Sequence, residues 1–218
     1  MRRPTAAISW SGGKDSCAAY HRARNAFDIV AAVTMFNEDG SRSRSHGLRP
    51  AIVATQIERL GLQSVTETCT WQSYDEAFDR ALGRAKELGV THVVFGDILF
   101  DEHREWAERL SRGRGLTAVE PLWKESTTAL YHEFIASGTR ARIVTVRSSE
   151  LDDSFLGRDL SDVALDELLH RGVDPCGERG EYHTVVTSCS GFSRPLQVRA
   201  LGRAVNSGCV AEDLVLDE

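Results

Sequence analysis

The sequence predicts an α/β protein. Residues 1–123 form a doubly wound, Rossmann-like domain around a five-stranded parallel sheet, and residues 124–218 form a second, smaller α+β domain. Three observations carry this reading. Short apolar runs alternate with amphipathic segments of helical length through the first 123 residues. Two runs, "FDIVAAVTMF" and "THVVFGDI", are apolar on consecutive positions, as expected of strands covered on both faces. Beyond residue 123 the regular alternation stops.

In order, Ala6 to Trp10 reads as a buried strand and Lys14 to Phe27 as a helix with Ala19, Ala23 and Phe27 on one face. "FDIVAAVTMF" is the second strand, and the polar "NEDGSRSRSHG" that follows it is a loop. "LRPAIVATQIERLG" is a helix stopped at Gly61, and "SVTETCTW" a strand. "SYDEAFDRALGRAKELG" is a helix with Ser73 and Glu76 in capping-box spacing and Gly89 as its stop. "THVVFGDI" is a strand, "DEHREWAERLSRGRG" a helix, and "LTAVEPLW" the fifth strand. In the second domain "TTALYHEFIASG" and "SDVALDELLHRG" read as helices and "ARIVTVR" as a strand. "DPCGERGEYHTVV" reads as a glycine-rich loop that enters another strand at His183.

Composition narrows the class. The chain has 218 residues, 41% apolar and 27% charged, an ordinary globular balance. Its net charge of -6 supplies no broad basic field for nucleic acid or anionic membranes. No run approaches a membrane span, and the start lacks a signal-peptide pattern, so a cytoplasmic location is expected. The five cysteines are scattered without a C-x-x-C, so reduced thiols are expected rather than disulfides or a zinc site. Cys176 reads as a packing residue.

The densest chemistry lies in "SWSGGKDS". In a doubly wound sheet, ligands bind at the carboxyl ends of the strands, where this turn leaves the first strand and opens the first helix. Gly12 and Gly13 allow close backbone approach, and the first helical turn offers N–H groups and a positive dipole end to an anion such as phosphate. Lys14 adds a charge, and Ser11 and Ser16 add hydroxyls. Asp15 opposes phosphate unless it faces Mg²⁺ or caps the helix. The spacing is neither a Walker loop nor a dinucleotide fingerprint. Gly96 and Asp97 end the fourth strand, across the point where strand order reverses from the first loop, and they mark the same site. Arg42, Arg44 and His46 lie in a loop on that edge and read equally as anion ligands or as a solvated loop. His103 reads as a surface residue, with Arg104 beside it. In the second domain Gly177 and Gly180 bracket Glu178, with Glu181 three residues beyond it. Paired acids on a tight loop repel unless a cation or an ammonium relieves them. His183 stands as a possible base.

"SGGKDS" after a first strand resembles the pyrophosphate-loop (PP-loop) signature of the N-type ATP pyrophosphatases. "NEDG", "RSRSHG", "VVFGDI", "HREW", "PLW", "FLGR" and "DPCGERGEYHT" follow in the order seen in the diphthine–ammonia ligase family and its ATP-binding relatives. The resemblance spans nearly the whole chain. It implies a PP-loop fold of the HUP type, ATP and Mg²⁺ as cofactors, and cleavage of ATP to AMP and pyrophosphate. A substrate carboxylate would be adenylated and then amidated by ammonia or an amine. It places Lys14 on the leaving pyrophosphate, Asp15 and Asp97 on the metal, and Asp97 and Glu181 among the catalytic groups. Ser11 to Ser16 and Gly96 would bind the nucleotide, and Arg104, Gly177, Glu178, Gly180, Glu181 and His183 the substrate. The family's acidic loop runs closer to E-G-G-E-x-E-T, and Arg179 and His183 depart from it. The acceptor therefore stays open between a modified histidine carboxylate on a protein and a small metabolite. A homodimer is compatible with the sequence. Two other readings remain at this stage: a nucleotide-binding sensor without turnover, and an RNA-modifying PP-loop enzyme, for which no cysteine pair is evident.

Overall fold

The computed structural model describes residues 2–217. Among the described residues nine strands form two sheets, with six helices packed beside them. The first sheet is parallel throughout, in the order β3-β2-β1-β4-β5. Its strands are β1 (Thr5–Ser9), β2 (Asp28–Phe36), β3 (Gln63–Thr68), β4 (His92–Val94) and β5 (Thr117–Val119). The helices between them are α1 (Lys14–Ala23), α2 (Pro50–Arg59), α3 (Tyr74–Glu87) and α4 (Asp101–Gly113). This is the doubly wound order, and it reverses between β1 and β4, so a crevice opens where those two strands end. The last six residues of β2 are all buried, as its unbroken apolar run requires.

The second sheet is antiparallel, in the order β7-β6-β9-β8. It comprises β6 (Arg140–Arg147), β7 (Tyr182–Ser188), β8 (Val198–Asn206) and β9 (Cys209–Leu216), with α5 (Thr127–Ala136) and the single short turn of α6 (Leu165–Leu169) beside it. The two sheets share apolar packing. One continuous core runs from Ile8 and Tyr20 through Leu122 and Tyr131 to Ile143, Val185 and Leu214. A second core, around Phe78, Phe95 and Trp106, lies on the opposite face of the first sheet, under α3 and α4. Among the described residues no helix is long and apolar enough to cross a membrane.

Several local expectations change. Helix α1 ends at Ala23, and Phe27 returns its amide to the Ala23 carbonyl in the turn beyond. The Ser73 hydroxyl bonds Thr70 at 3.0 Å instead of capping α3, so the expected capping box does not form. "SDVALDELLHRG" breaks into a 3₁₀ turn at Leu160–Asp162 and a five-residue helix, because Asp159 caps the 3₁₀ turn through Ser161. The β8–β9 hairpin adds two strands beyond those the sequence pattern predicts.

Candidate active site

The carboxyl ends of β1 and β4 open onto a cavity of about 520 Å³, in the range of small-molecule sites. Lys14, Asp15, Gly96 and Asp97 line it from the first sheet. Gly177, Glu178, Gly180 and His183 line it from the loop that enters β7 and from β7 itself. Ser11 and Ser16 complete the first wall, with their hydroxyls 3.1 Å apart. The cavity therefore gathers the glycine turn, the end of β4 and the acidic loop, which lie up to 170 residues apart in sequence.

Lys14 is held firmly. Its ammonium donates to both Asp15 carboxylate oxygens, at 2.6 and 2.7 Å, and to the Cys176 carbonyl. Burial opposes its charge, but the Asp15 carboxylate together with Tyr182 and Cys176 outweighs that, and the ammonium's pKa stands above the ordinary lysine value. Its charge is thus fixed in place and not mobile. Asp15 pairs with Lys14 rather than capping α1, whose N-cap is Gly13.

The two glycines of the turn are buried by the chain's own side chains. A Cβ on Gly13 would lie 2.0 Å from His46 Cε1. Gly12 backs onto Gln56 and Leu48 in the same manner. Neither glycine lines the cavity, contrary to the expectation that they admit a ligand. The turn is also tied to β7: the Lys14 amide donates to Thr184 Oγ1 at 3.1 Å, and the Val186 amide donates to the Gly12 carbonyl. The Gly13 amide, at 3.3 Å, is taken by Ser11 Oγ. Two of the amides expected to face an anion are thus already engaged. Gly96 is needed for close approach, since a Cβ there would sit 2.9 Å from the Asp15 backbone. It lets β4 end against the start of α1.

Asp97 accepts from His103 at 3.2 Å, and that bond raises the imidazole's pKa. His103, read from sequence as a surface residue, lines the cavity. Arg104 does not. Its guanidinium is drawn to Glu108 at 2.9 Å and Glu120 at 3.5 Å, over the Trp123 ring. Glu181 also fails to reach the cavity. Its buried carboxylate accepts the Asp174 amide at 3.1 Å and the Arg179 amide at 2.9 Å, so it closes its own loop. Its partner Glu178 does face the cavity. Burial, then Asp15, Asp97 and Asp174, push the Glu178 carboxyl up to about 8. His183 packs on His46 with ring centroids 4.8 Å apart. Burial pushes its pKa down to about 3, so it is neutral at physiological pH and too weak to serve as the base suggested by its sequence position.

Sequence reasoning missed the aromatic wall of Trp71, Tyr74 and Trp106. Trp71 is 65% exposed, with the Arg44 guanidinium 4.4 Å over its ring. An aromatic just past a strand end was its only signal. Arg42 turns away to Asp213 at 2.7 Å. Cys176, read from sequence as a packing residue, is buried, and burial pushes its thiol up to about 12, yet it also lines the cavity. A cysteine pair does exist in space: Cys17 and Cys189 meet beside His21, away from this cavity.

The donor chemistry suits a nucleotide with a hard cation. Asp15, Asp97 and Glu178 offer carboxylate oxygens, the ligands Mg²⁺ takes. They do not converge on one point within ligand distance among the described residues. They therefore fit an ion that is shared with substrate oxygens and water, not one enclosed by protein alone.

Comparison with known proteins agrees with this layout. The diphthamide synthase N-terminal domain matches residues 4–118, and the diphthamide synthase C-terminal domain matches residues 126–213. The diphthine–ammonia ligase of Rattus norvegicus is 34% identical over 223 residues, covering 90% of this chain and 84% of that protein. Those of Schizosaccharomyces pombe and Danio rerio are 27% and 32% identical, over 84% and 56% of this chain. This chain spans only 34% and 49% of the length of those two proteins. With both domains of the family matched in order along one chain, the protein belongs to the diphthamide synthase family.

Proposed function

We propose that the protein is an ATP-dependent, amide-forming ligase like the relatives named above. It would adenylate a substrate carboxylate with release of pyrophosphate, and ammonia or an amine would then displace AMP. One observation carries this reading: a lysine-bearing turn at the switch point of a doubly wound sheet faces an acidic loop from the second sheet across one cavity. Residues 1–123 serve as the nucleotide-binding part and residues 124–218 as the part that presents the acceptor.

A carboxylate is a poor electrophile, and adenylation gives it a leaving group. The charge that grows on the departing pyrophosphate needs a fixed cation, and Lys14 supplies one. In the ligand-free chain Asp15 holds that cation. Phosphate binding exchanges one anionic partner of Lys14 for another, and this frees Asp15. Ser11 and Ser16, bonded to each other, make a similar exchange. Asp15 and Asp97 would hold Mg²⁺, whose charge would offset that of the phosphates. Asp97 is oriented by His103. Glu178, crowded by Asp15 and Asp97, suits a cationic group at the acceptor side, either an incoming ammonium or the substrate's own amine. Glu181 shapes the loop that presents Glu178.

The test is incubation with labelled ATP, Mg²⁺, ammonium and a panel of carboxylates that includes a diphthine-bearing protein. AMP and pyrophosphate are expected, with Lys14→Ala lowering the rate by about 100-fold or more. ADP as the product, or ATP left intact across the panel, overturns the reading.

A further inference from the structure

Behind the cavity wall, α1 meets the segment just past β7. Cys17 and His21 stand four residues apart on α1, so their side chains share one face. Cys189 follows the last residue of β7 and meets them there. The ligand atoms of Cys17, His21 and Cys189 all lie within 4.8 Å of one another. Both thiols are buried. His21 Nε2 is buried and lacks a hydrogen-bond partner among the described residues. A buried ring nitrogen left unpaired is costly and calls for an occupant. None of the three residues lines the cavity or enters the proposed reaction.

We propose that Cys17, His21 and Cys189 form a binding site for a zinc-class divalent cation, one that pins α1 to the chain leaving β7. Two thiolates and an imidazole are zinc ligands, whereas Mg²⁺ prefers oxygen donors. Bond lengths of about 2.0–2.3 Å in tetrahedral geometry put ligand atoms roughly 3.5–3.8 Å apart. From a spread of at most 4.8 Å, closure shortens no separation by more than about 1.3 Å. The Ser190 hydroxyl lies 3.5 Å from His21 Nδ1, placed to accept its proton when Nε2 carries the metal. Arg24, 3.4 Å from the same Nδ1, gives up that contact on binding. Binding releases to solvent the protons that the two thiols carry, and the two thiolates balance the ion's charge. The fourth position falls to water. A Cys17–Cys189 disulfide would leave His21 Nε2 unused, so the cation is the fuller account of the cluster. The site lies in the helix that begins with Lys14 and next to the strand that holds Thr184, so its occupancy stiffens the junction behind the nucleotide turn.

The full chain, reduced and stripped with a chelator, is titrated with Zn²⁺, and bound metal is counted after gel filtration. Co²⁺ in place of zinc is followed by its thiolate charge-transfer band and visible tetrahedral bands. One equivalent of zinc and both cobalt signatures are expected in the wild type. Cys17→Ser and Cys189→Ser should abolish them, and His21→Gln should weaken affinity about tenfold or more. Cys209→Ser, which removes a thiol outside the cluster, should leave them unchanged. The cobalt spectrum of the wild type stands even if a variant misfolds. Absence of stoichiometric metal in the reduced wild type, zinc retained by the Cys189→Ser variant, or a Cys17–Cys189 disulfide formed without metal uptake each overturns the proposal.

Discussion

At the scale of single residues, the site works by crowding groups that water would keep apart. Gly13 shows how tightly. His46 occupies the space of its missing Cβ, and His46 is itself fixed by a 2.7 Å bond between Nδ1 and the Thr184 carbonyl. Gly13→Ala is therefore expected to cost about 1–3 kcal/mol by overpacking. Adding His46→Ala should recover part of that loss, and a double-mutant cycle in urea measures the coupling. Glu178 shows the electrostatic side. Its folded-state pKa is raised to about 8, above the roughly 4.3 of an unfolded glutamate, so the folded chain holds an extra proton between those values. Stability must then fall as pH rises through that window. Glu178→Gln removes the proton site. The wild type is expected to lose stability relative to this variant between about pH 5 and pH 8. Denaturant melts at several pH values test this, and parallel curves would refute the crowding.

At the scale of elements, contacts distant in sequence hold the Ser11–Ser16 turn in shape. Gln56, on α2, donates to the carbonyls of Gly12 and Val186 and accepts from the Trp10 indole. The loop before α2 and the start of α2 are tied to β9 through Asp213, which takes Arg49 at 2.6 and 2.8 Å and Arg42 at 2.7 Å. The bonds from those two guanidiniums, Arg49 first and then Arg42, hold the Asp213 carboxyl below the usual aspartate range. Its contribution is present above the unfolded pKa of about 3.9 and is lost as pH falls below it. With both arginines partly exposed, Asp213→Asn should cost about 1 kcal/mol at neutral pH, and the gap should close in acid. A gap that does not change with pH would remove the ion pairs from the account. These ties explain what the sequence could reveal. Helices α1 to α4 and strands β1 to β5 announce themselves by local periodicity, and "SGGKDS" and "FGD" mark strand ends whose place follows from topology. The wedge of His46 on Gly13 and the grip of Thr184 on Lys14 have no local signature, because each joins segments that only the fold brings together. Glu178 and Glu181 look alike in sequence, and only backbone geometry gives one to the cavity and the other to its loop. The β8–β9 hairpin did leave a sign in "NSG", where Ser207 and Gly208 both take positive φ. It was masked because β8 is exposed along nearly its whole length and shows no buried face.

At the scale of the molecule, the two sheets are joined by more than the cavity between them. A single apolar core passes from β1 and α1 into β6, β7 and β9, so neither sheet can lose its packing without exposing the other's. Hydrogen bonds cross the same boundary at Gly12, Lys14 and Gln56. Two bodies linked by a small polar interface would unfold separately, whereas two bodies sharing a core unfold together. All four tryptophans, Trp10, Trp71, Trp106 and Trp123, lie in the first 123 residues, so fluorescence reports mainly on that half. Far-UV circular dichroism reports on both halves. The two urea transitions are expected to coincide, with one midpoint and one slope. ATP with Mg²⁺, binding at the junction, should move both midpoints together by the same amount. A fluorescence transition that responds to nucleotide while the dichroism of the second sheet melts independently would show that the shared core does not couple the halves. The proposed presentation of an acceptor by one half to a nucleotide on the other would then need a different mechanical basis.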